Sequence, residues 1–236
     1  MRIKIETPLT LRESEVFRYL ASPATETLAG DVRRYGAELL AAASPAACGI
    51  RLRLLRNAEG PVAFSGCSLT LPGADARRRL AGCEEAVLFA VTLGFEVDRL
   101  IGAAGQTDPY RALVLDACAT EAVEAAADEA TRNMKEAGLI PAGFRAGRRF
   151  SPGYGDLPLD IQAAFVGAVD ARRLIGLSAG GTKMLSPLKS VTAVFGLFPE
   201  GAPEPEAEGC AQGPGGRCAV CNLRRRCPYR NKTDCE

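Results

Sequence analysis

Arg149-Phe150-Ser151-Pro152-Gly153-Tyr154 places a fixed cation, a residue without a side chain and an aromatic hydroxyl within one hexapeptide. A guanidinium grips a carboxylate through two parallel hydrogen bonds, a glycine lets a ligand touch the main chain, and a tyrosine offers a flat face beside a hydroxyl. The same residues also read as a Pro-Gly turn with a snorkelling arginine and a core tyrosine. Upstream, Glu121 and Glu124 lie on a helical pattern with Asp128. They form either a solvated helix face or the acidic wall of a pocket for a cationic ligand. A second concentration of chemistry ends the chain, where Cys210, Cys218, Cys221, Cys227 and Cys235 fall within 27 residues. Two thiolates separated by two residues chelate one metal through a tight turn, and further cysteines complete four-sulfur ligation.

What is missing restricts the chemistry further. The sequence contains no histidine, which excludes imidazole general-base catalysis, Ser-His-Asp and Cys-His machinery, and histidine-ligated metals supplied by this chain. The net charge of +1 gives no argument for wholesale attraction to nucleic acid or membrane. No apolar run is long enough to span a bilayer, and Met1 to Glu6 lacks the apolar stretch of a signal peptide, so a cytoplasmic protein is expected. In that compartment clustered cysteines indicate metal ligation more readily than disulfides. Cys48, Cys67, Cys83 and Cys118 fall in structured segments and are expected to be buried core thiols.

The elements that position these residues follow from periodicity. Met1, Ile3 and Ile5 alternate with charged residues as a half-buried strand does. Helical spacing runs from Thr10 to Ala21 and from Thr25 to Ala43, each closed by a proline. Ile50 to Arg56 alternates apolar residues with Arg51, Arg53 and Arg56, then turns at Asn57 to Pro61 into Val62-Ala63-Phe64, a hairpin with one wet face. Those arginines are solvated or hold an anionic ligand. A short helix is predicted over Asp75 to Ala81, a fully buried strand over Glu85 to Thr92, and a helix over Phe95 to Ala104. Asp108-Pro109 opens the longest helix, which is expected to reach Gly138 and to bury Leu115, Ala119, Ala122, Ala126, Ala130 and Met134. Ile161 to Val169 and Leu174 to Leu177 lead to the loop Ser178 to Thr182, whose paired glycines lack the Lys-Ser/Thr of a phosphate loop. A strand ending at Gly196 follows, and Pro199 to Gly216 has the composition of a linker.

Arg149-x-x-Pro152-Gly153-Tyr154, followed by Met184-x-x-Pro187-x-x-Ser190-Val191 and Gly196, resembles the activation domain of cobalamin-dependent methionine synthase. The ordered set is most similar to free-standing proteins built around that domain, in which sequences like Thr92-Leu93-Gly94 and Asp116-Ala117 to Glu121 and Glu124 recur. The family's acidic residue shortly before the arginine has no counterpart in Phe144 to Arg148. The resemblance implies an α+β fold, an antiparallel β-sheet flanked by helices, that binds S-adenosylmethionine and docks over cobalamin carried by another module. It implies that an electron and the methyl of S-adenosylmethionine restore methylcobalamin from cob(II)alamin. On it, Arg149 would grip the ligand's carboxylate and Gly153 would allow close backbone approach. Tyr154, the catalytic candidate, would lie near the methyl donor and the corrin face. Glu121 and Glu124 are candidates for the ligand's ammonium or sulfonium. Methyl transfer from a sulfonium to a cobalt nucleophile needs alignment and a dry pocket rather than a general base, which accommodates the absence of histidine.

The expected organisation is an activation-like domain over 1–198, a linker over 199–216 and a cysteine-rich tail over 217–236. The spacing Cys218-x2-Cys221-x5-Cys227-Pro228 is similar to that of cluster-bearing extensions in some radical enzymes. With Cys210 it offers four thiolates to a [4Fe-4S] cluster or to structural zinc, since tetrathiolate sites suit both. A low-potential cluster would supply the electron that cob(II)alamin needs, with flavodoxin or ferredoxin as the upstream donor. Three readings remain at this point. The chain reactivates a corrinoid-dependent methyltransferase such as a methionine synthase lacking its own activation domain. Alternatively it is a non-catalytic corrinoid-protein binding or assembly module with zinc, or a stand-alone methyltransferase.

Overall fold

Side-chain alternation along two central strands divides the interior into two layers. The computed structural model describes residues 1–6, 9–55 and 60–202. In chain order the elements are β1 (Arg2–Ile3), α1 (Glu13–Leu20), α2 (Glu26–Ala42), β2 (Ala46–Leu55), β3 (Val62–Phe64), β4 (Cys67–Leu71), α3 (Ala74–Arg79), β5 (Glu85–Thr92), α4 (Phe95–Thr107) and α5 (Pro109–Asn133). There follow β6 (Phe144–Ala146), a 3-10 turn (Leu159–Ile161), α6 (Gln162–Ala168), α7 (Ala171–Ile175), β7 (Ser178–Ala179), β8 (Leu185–Ser186) and β9 (Ser190–Pro199). The main sheet has the order β4-β3-β2-β5-β9-β6, with β1 paired to β2, and its pairings are antiparallel. β7 and β8 form a separate hairpin.

β5 is the predicted buried strand and is buried at every position after Glu85. Val87, Phe89 and Val91, with Ala193, Phe195 and Leu197 of β9, pack against α1, α2, α4 and α5. Ala86, Leu88, Ala90 and Val194 point the other way, toward α3, α6 and α7. Period-two alternation thus gives one apolar sheet two covered faces. The expected α+β fold, an antiparallel sheet flanked by helices, is what the chain adopts.

α5 anchors the first layer. The Asp108 carboxylate accepts from the Arg111 N–H at 3.0 Å, and Pro109 occupies the first turn, where its missing donor costs nothing. All six small or apolar residues predicted to face inward are buried. Alanine at four of those positions lets neighbouring helices approach closely.

Several boundaries differ from the sequence reading. α1 begins at Glu13 rather than Thr10, because Arg12 is still extended at φ −85°, ψ 104°. α5 stops at Asn133, and Met134 to Gly138 turn instead. β9 does not end at Gly196 but continues to Pro199, where residues 197–199 pair with β6. Gly196 sits opposite Ala86, and a Cβ there would collide with Cys83 Sγ, so this glycine serves packing rather than strand termination. Cys48, Cys83 and Cys118 are buried as expected, whereas Cys67 is only half-buried. No helix among the described residues is long and apolar enough to cross a membrane.

Candidate functional site

The chemistry gathers on one flank of α5. Glu121, Glu124 or Ala125, Asp128 and Thr131 or Arg132 recur at three- and four-residue spacing, so they stack along adjoining stripes of the helix. Two arginines from different parts of the chain meet these stripes.

Arg149 comes from the edge of the sheet. Gly147 N–H donates to Gly196 O at 2.9 Å, and Phe150 and Val194 exchange backbone hydrogen bonds at 3.0 and 2.9 Å. This pairing fixes the backbone on both sides of Arg149, and alternation then sends successive side chains to opposite layers. Phe150 packs in the second layer with Arg79 over its ring, whereas Arg149 reaches α5. Its Nη2 donates to Asp128 Oδ1 at 2.6 Å and lies 3.5 Å from Glu124 Oε2, while Nη1 lies 3.4 Å from Thr131 Oγ1.

Arg12 comes from the extended segment before α1. Its Nε donates to Glu121 Oε1 at 2.6 Å, with Nη2 3.4 Å from Oε2. The two partners are unequal, since the Glu121 side chain is 0% exposed and that of Arg12 56%. Of the two readings of the acidic pattern, the solvated face does not hold for Glu121, which is a buried carboxylate that keeps a counter-ion. Glu124, by contrast, is part-exposed. Burial pushes its carboxyl above the usual carboxylate range; Arg149 opposes that shift, and Asp128 and Glu121 reinforce it.

Between the segment before α1 and α5 opens a cleft of ≈ 410 Å³. Leu9, Thr10 and Arg12 line one side, and Ala125, Asp128 and Arg132 the other. Asp128 thus faces both the cleft and Arg149. Arg149, Glu121 and Glu124 stand beside the cleft rather than on its wall, whose charged residues are Glu6, Arg12, Asp128, Glu129 and Arg132, three carboxylates to two cations. Such a lining suits a small zwitterion with excess positive charge, its carboxylate directed to a guanidinium and its cations to the acids.

The rest of the hexapeptide turns away. Gly153, at φ +92°, adopts a conformation that side chains resist, and a Cβ there would press on Leu159. Asp156 accepts hydrogen bonds from the backbone N–H groups of Ala74 and Asp75 and so ties the loop to the start of α3. Tyr154 stands 73% exposed on this loop. Arg149, Glu121 and Glu124 are therefore brought together, whereas Gly153 and exposed Tyr154 lie on the loop tied to α3.

The Met184 to Ser190 element docks on α4 and α5. The Leu188 and Lys189 N–H groups donate to Asp98, at 2.6 and 3.4 Å, and Lys189 Nζ reaches Asp116 Oδ1 at 2.8 Å and Thr120 Oγ1 at 3.1 Å. Ser190 Oγ lies 2.8 Å from Thr92 Oγ1, which itself accepts from the Gly94 N–H at 3.1 Å. Thr92-Leu93-Gly94 and the Met184 element are therefore one junction. Met184 and Leu188 remain exposed.

Sequence reasoning missed Arg12, placed inside a helix that begins later, and the direct grip of Asp128 on Arg149. The three-residue step from Asp128 to Thr131 was the available signal for the second. Among the described residues no group of three or more Cys, Asp or Glu side chains could hold a metal ion. Cys210, Cys218, Cys221 and Cys227, the predicted metal ligands, lie outside the described residues, as does Cys235.

The chain is similar to the solved MetH reactivation domain bound to AdoHcy, with a TM-score of 0.57 and 16% identity over 79% of this chain and 70% of that one. At that identity the likeness establishes the fold. No family model and no curated protein matches the sequence.

Proposed function

We propose that this chain is a reactivation component for a corrinoid-dependent methyltransferase, presenting S-adenosylmethionine to cob(II)alamin held by a partner protein. The observation that carries the reading is the mixed-charge cleft on α5, set within the fold of a domain solved with AdoHcy. In this reading Arg149 orients the ligand's carboxylate, and Glu124 with Asp128 balances its positive charges. Glu121 joins them only if Arg12 releases it. Exposed Tyr154 then belongs to the surface that meets the corrin, together with exposed Met184 and Leu188, rather than to the ligand cleft. S-adenosylmethionine supplies the methyl group and a separate reductant one electron, so that cob(II)alamin becomes methylcobalamin and S-adenosylhomocysteine departs. The chain's own residues align and exclude water; they transfer no proton.

The electron source in this proposal is the cysteine-rich tail. Cys210, Cys218, Cys221 and Cys227 supply a donor set suited to a [4Fe-4S] cluster, and such clusters reach potentials near roughly −700 mV. A flavodoxin or ferredoxin would recharge it. Brown colour, with stoichiometric iron and sulfide after anaerobic purification, is expected; a colourless protein holding zinc rejects this electron route.

A second reading has its own support. Arg149 is already engaged by Asp128 and Glu124, which suits a structural role in a module that binds a corrinoid protein without using S-adenosylmethionine. Calorimetric titration separates the two. Saturable binding of S-adenosylmethionine is expected; none, with or without a corrinoid protein, removes the ligand-presenting reading.

A further inference from the structure

Within the reading just given, Glu121 poses a problem that points to a device. A fully buried carboxylate must keep a cation, because leaving it unpaired is strongly destabilising. Its cation is Arg12, whose side chain is 56% exposed and forms part of the cleft wall. Glu121 lies one helical turn before the cleft-lining Ala125 and in line with Asp128, but is shut off from the cleft behind the Arg12 guanidinium that lines it. The acid cannot leave the pair, whereas the arginine can swing into water.

Nor is this ion pair the segment's only anchor, although the Arg12 N–H also lies 3.4 Å from Glu121 Oε1. Leu9 is buried in the first layer, and Leu11 packs so closely on α2 that a Cβ at Gly36 would meet its Cδ1 at 2.9 Å. Apolar contacts on both sides of Thr10 hold the backbone, which leaves the Arg12 side chain free to exchange partners.

We propose that Arg12 is a displaceable counter-ion, an intramolecular stand-in for the positive charge of the ligand, which opens the Glu121 end of the cleft only to a molecule that brings its own cation. A sulfonium or ammonium group replaces the guanidinium against Glu121, and Arg12 moves to solvent. A neutral ligand of the same shape cannot compensate Glu121 and stays excluded from that end. The site is thus closed by its own charge until a cation arrives.

Binding isotherms and thermal melts of the full chain test this with S-adenosylmethionine as the probe. Arg12→Ala is expected to melt lower than wild type without ligand and to bind the probe about tenfold tighter or more, because the internal competitor is gone and Glu121 is unpaired. Should that variant fail to fold, Arg12→Ala with Glu121→Gln removes both charges while keeping the buried shape, and its binding is expected to be weaker than wild type. Binding by Arg12→Ala equal to or weaker than wild type, or undiminished binding by the double variant, overturns the role of Arg12 and leaves the site reading standing. Absence of binding by wild type and Arg12→Ala alike removes both.

Discussion

Arg149 is the residue on which the ligand reading turns, because its planar fork is already aimed by Asp128 and Thr131. Replacing it by glutamine removes a charge-assisted contact worth about 1.5–3 kcal/mol, which corresponds to a loss of about 10- to 150-fold in affinity for S-adenosylmethionine. Lysine at the same position rescues charge but not the fork and is expected to restore binding only partly, as calorimetry would show. Glu124 gives a test with a sign. Its folded-state acidity is weakened by burial, in the company of Arg149, Asp128, Glu121, Arg12 and Tyr19. A carboxyl raised above its unfolded value favours the fold while protonated, and that contribution is lost as pH rises through the raised value. Glu124→Gln is therefore expected to melt higher than wild type at neutral pH, with the gap closing at acid pH, yet to bind the cationic ligand more weakly. A lower melting temperature at neutral pH would contradict the burial argument. Thiol reactivity offers a simpler check. Burial pushes Cys48 and Cys118 up to about 11, so neither should alkylate in the native protein at neutral pH while both do so after unfolding.

At the scale of elements, Gly196 shows what periodicity cannot reveal. The strand pattern around it was visible, but a glycine reads as an end, and only the Cys83 sulfur packed over it explains its presence within β9. Gly196→Ala is expected to cost about 1–3 kcal/mol through overpacking, measurable by denaturant unfolding, and Cys83→Ala should recover much of the loss. The main helices and the buried strand were legible because long apolar periodicities determine them. The short pieces were not. β4 and β6 gave no clear signal, and the extended backbone at Arg12 depends on Leu9 and Leu11 finding partners far along the chain. The same limit governed the site. Arg149 and the acids of α5 could be named from residue types, but not the division of labour among them. That division follows from the alternation of Arg149 and Phe150 across the edge of β9, a tertiary fact.

For the molecule as a whole, the charged cleft and the exposed apolar groups fall on different elements. The α5 flank holds charge and a cleft; the Gly153–Tyr154 turn and the Met184–Leu188 loop hold exposed aromatic and apolar groups. A ligand-presenting protein needs both, one to bind a methyl donor and one to meet a partner. The most direct measurement follows the methyl group itself. Anaerobic incubation of the full chain with a corrinoid protein in the cob(II)alamin state, a low-potential reductant and methyl-labelled S-adenosylmethionine is predicted to yield labelled methylcobalamin and S-adenosylhomocysteine in equal amounts. Arg149→Gln should slow that conversion strongly at fixed donor concentration. Unlabelled corrinoid at the end of the reaction, in a sample that binds both partner and donor, would contradict the account.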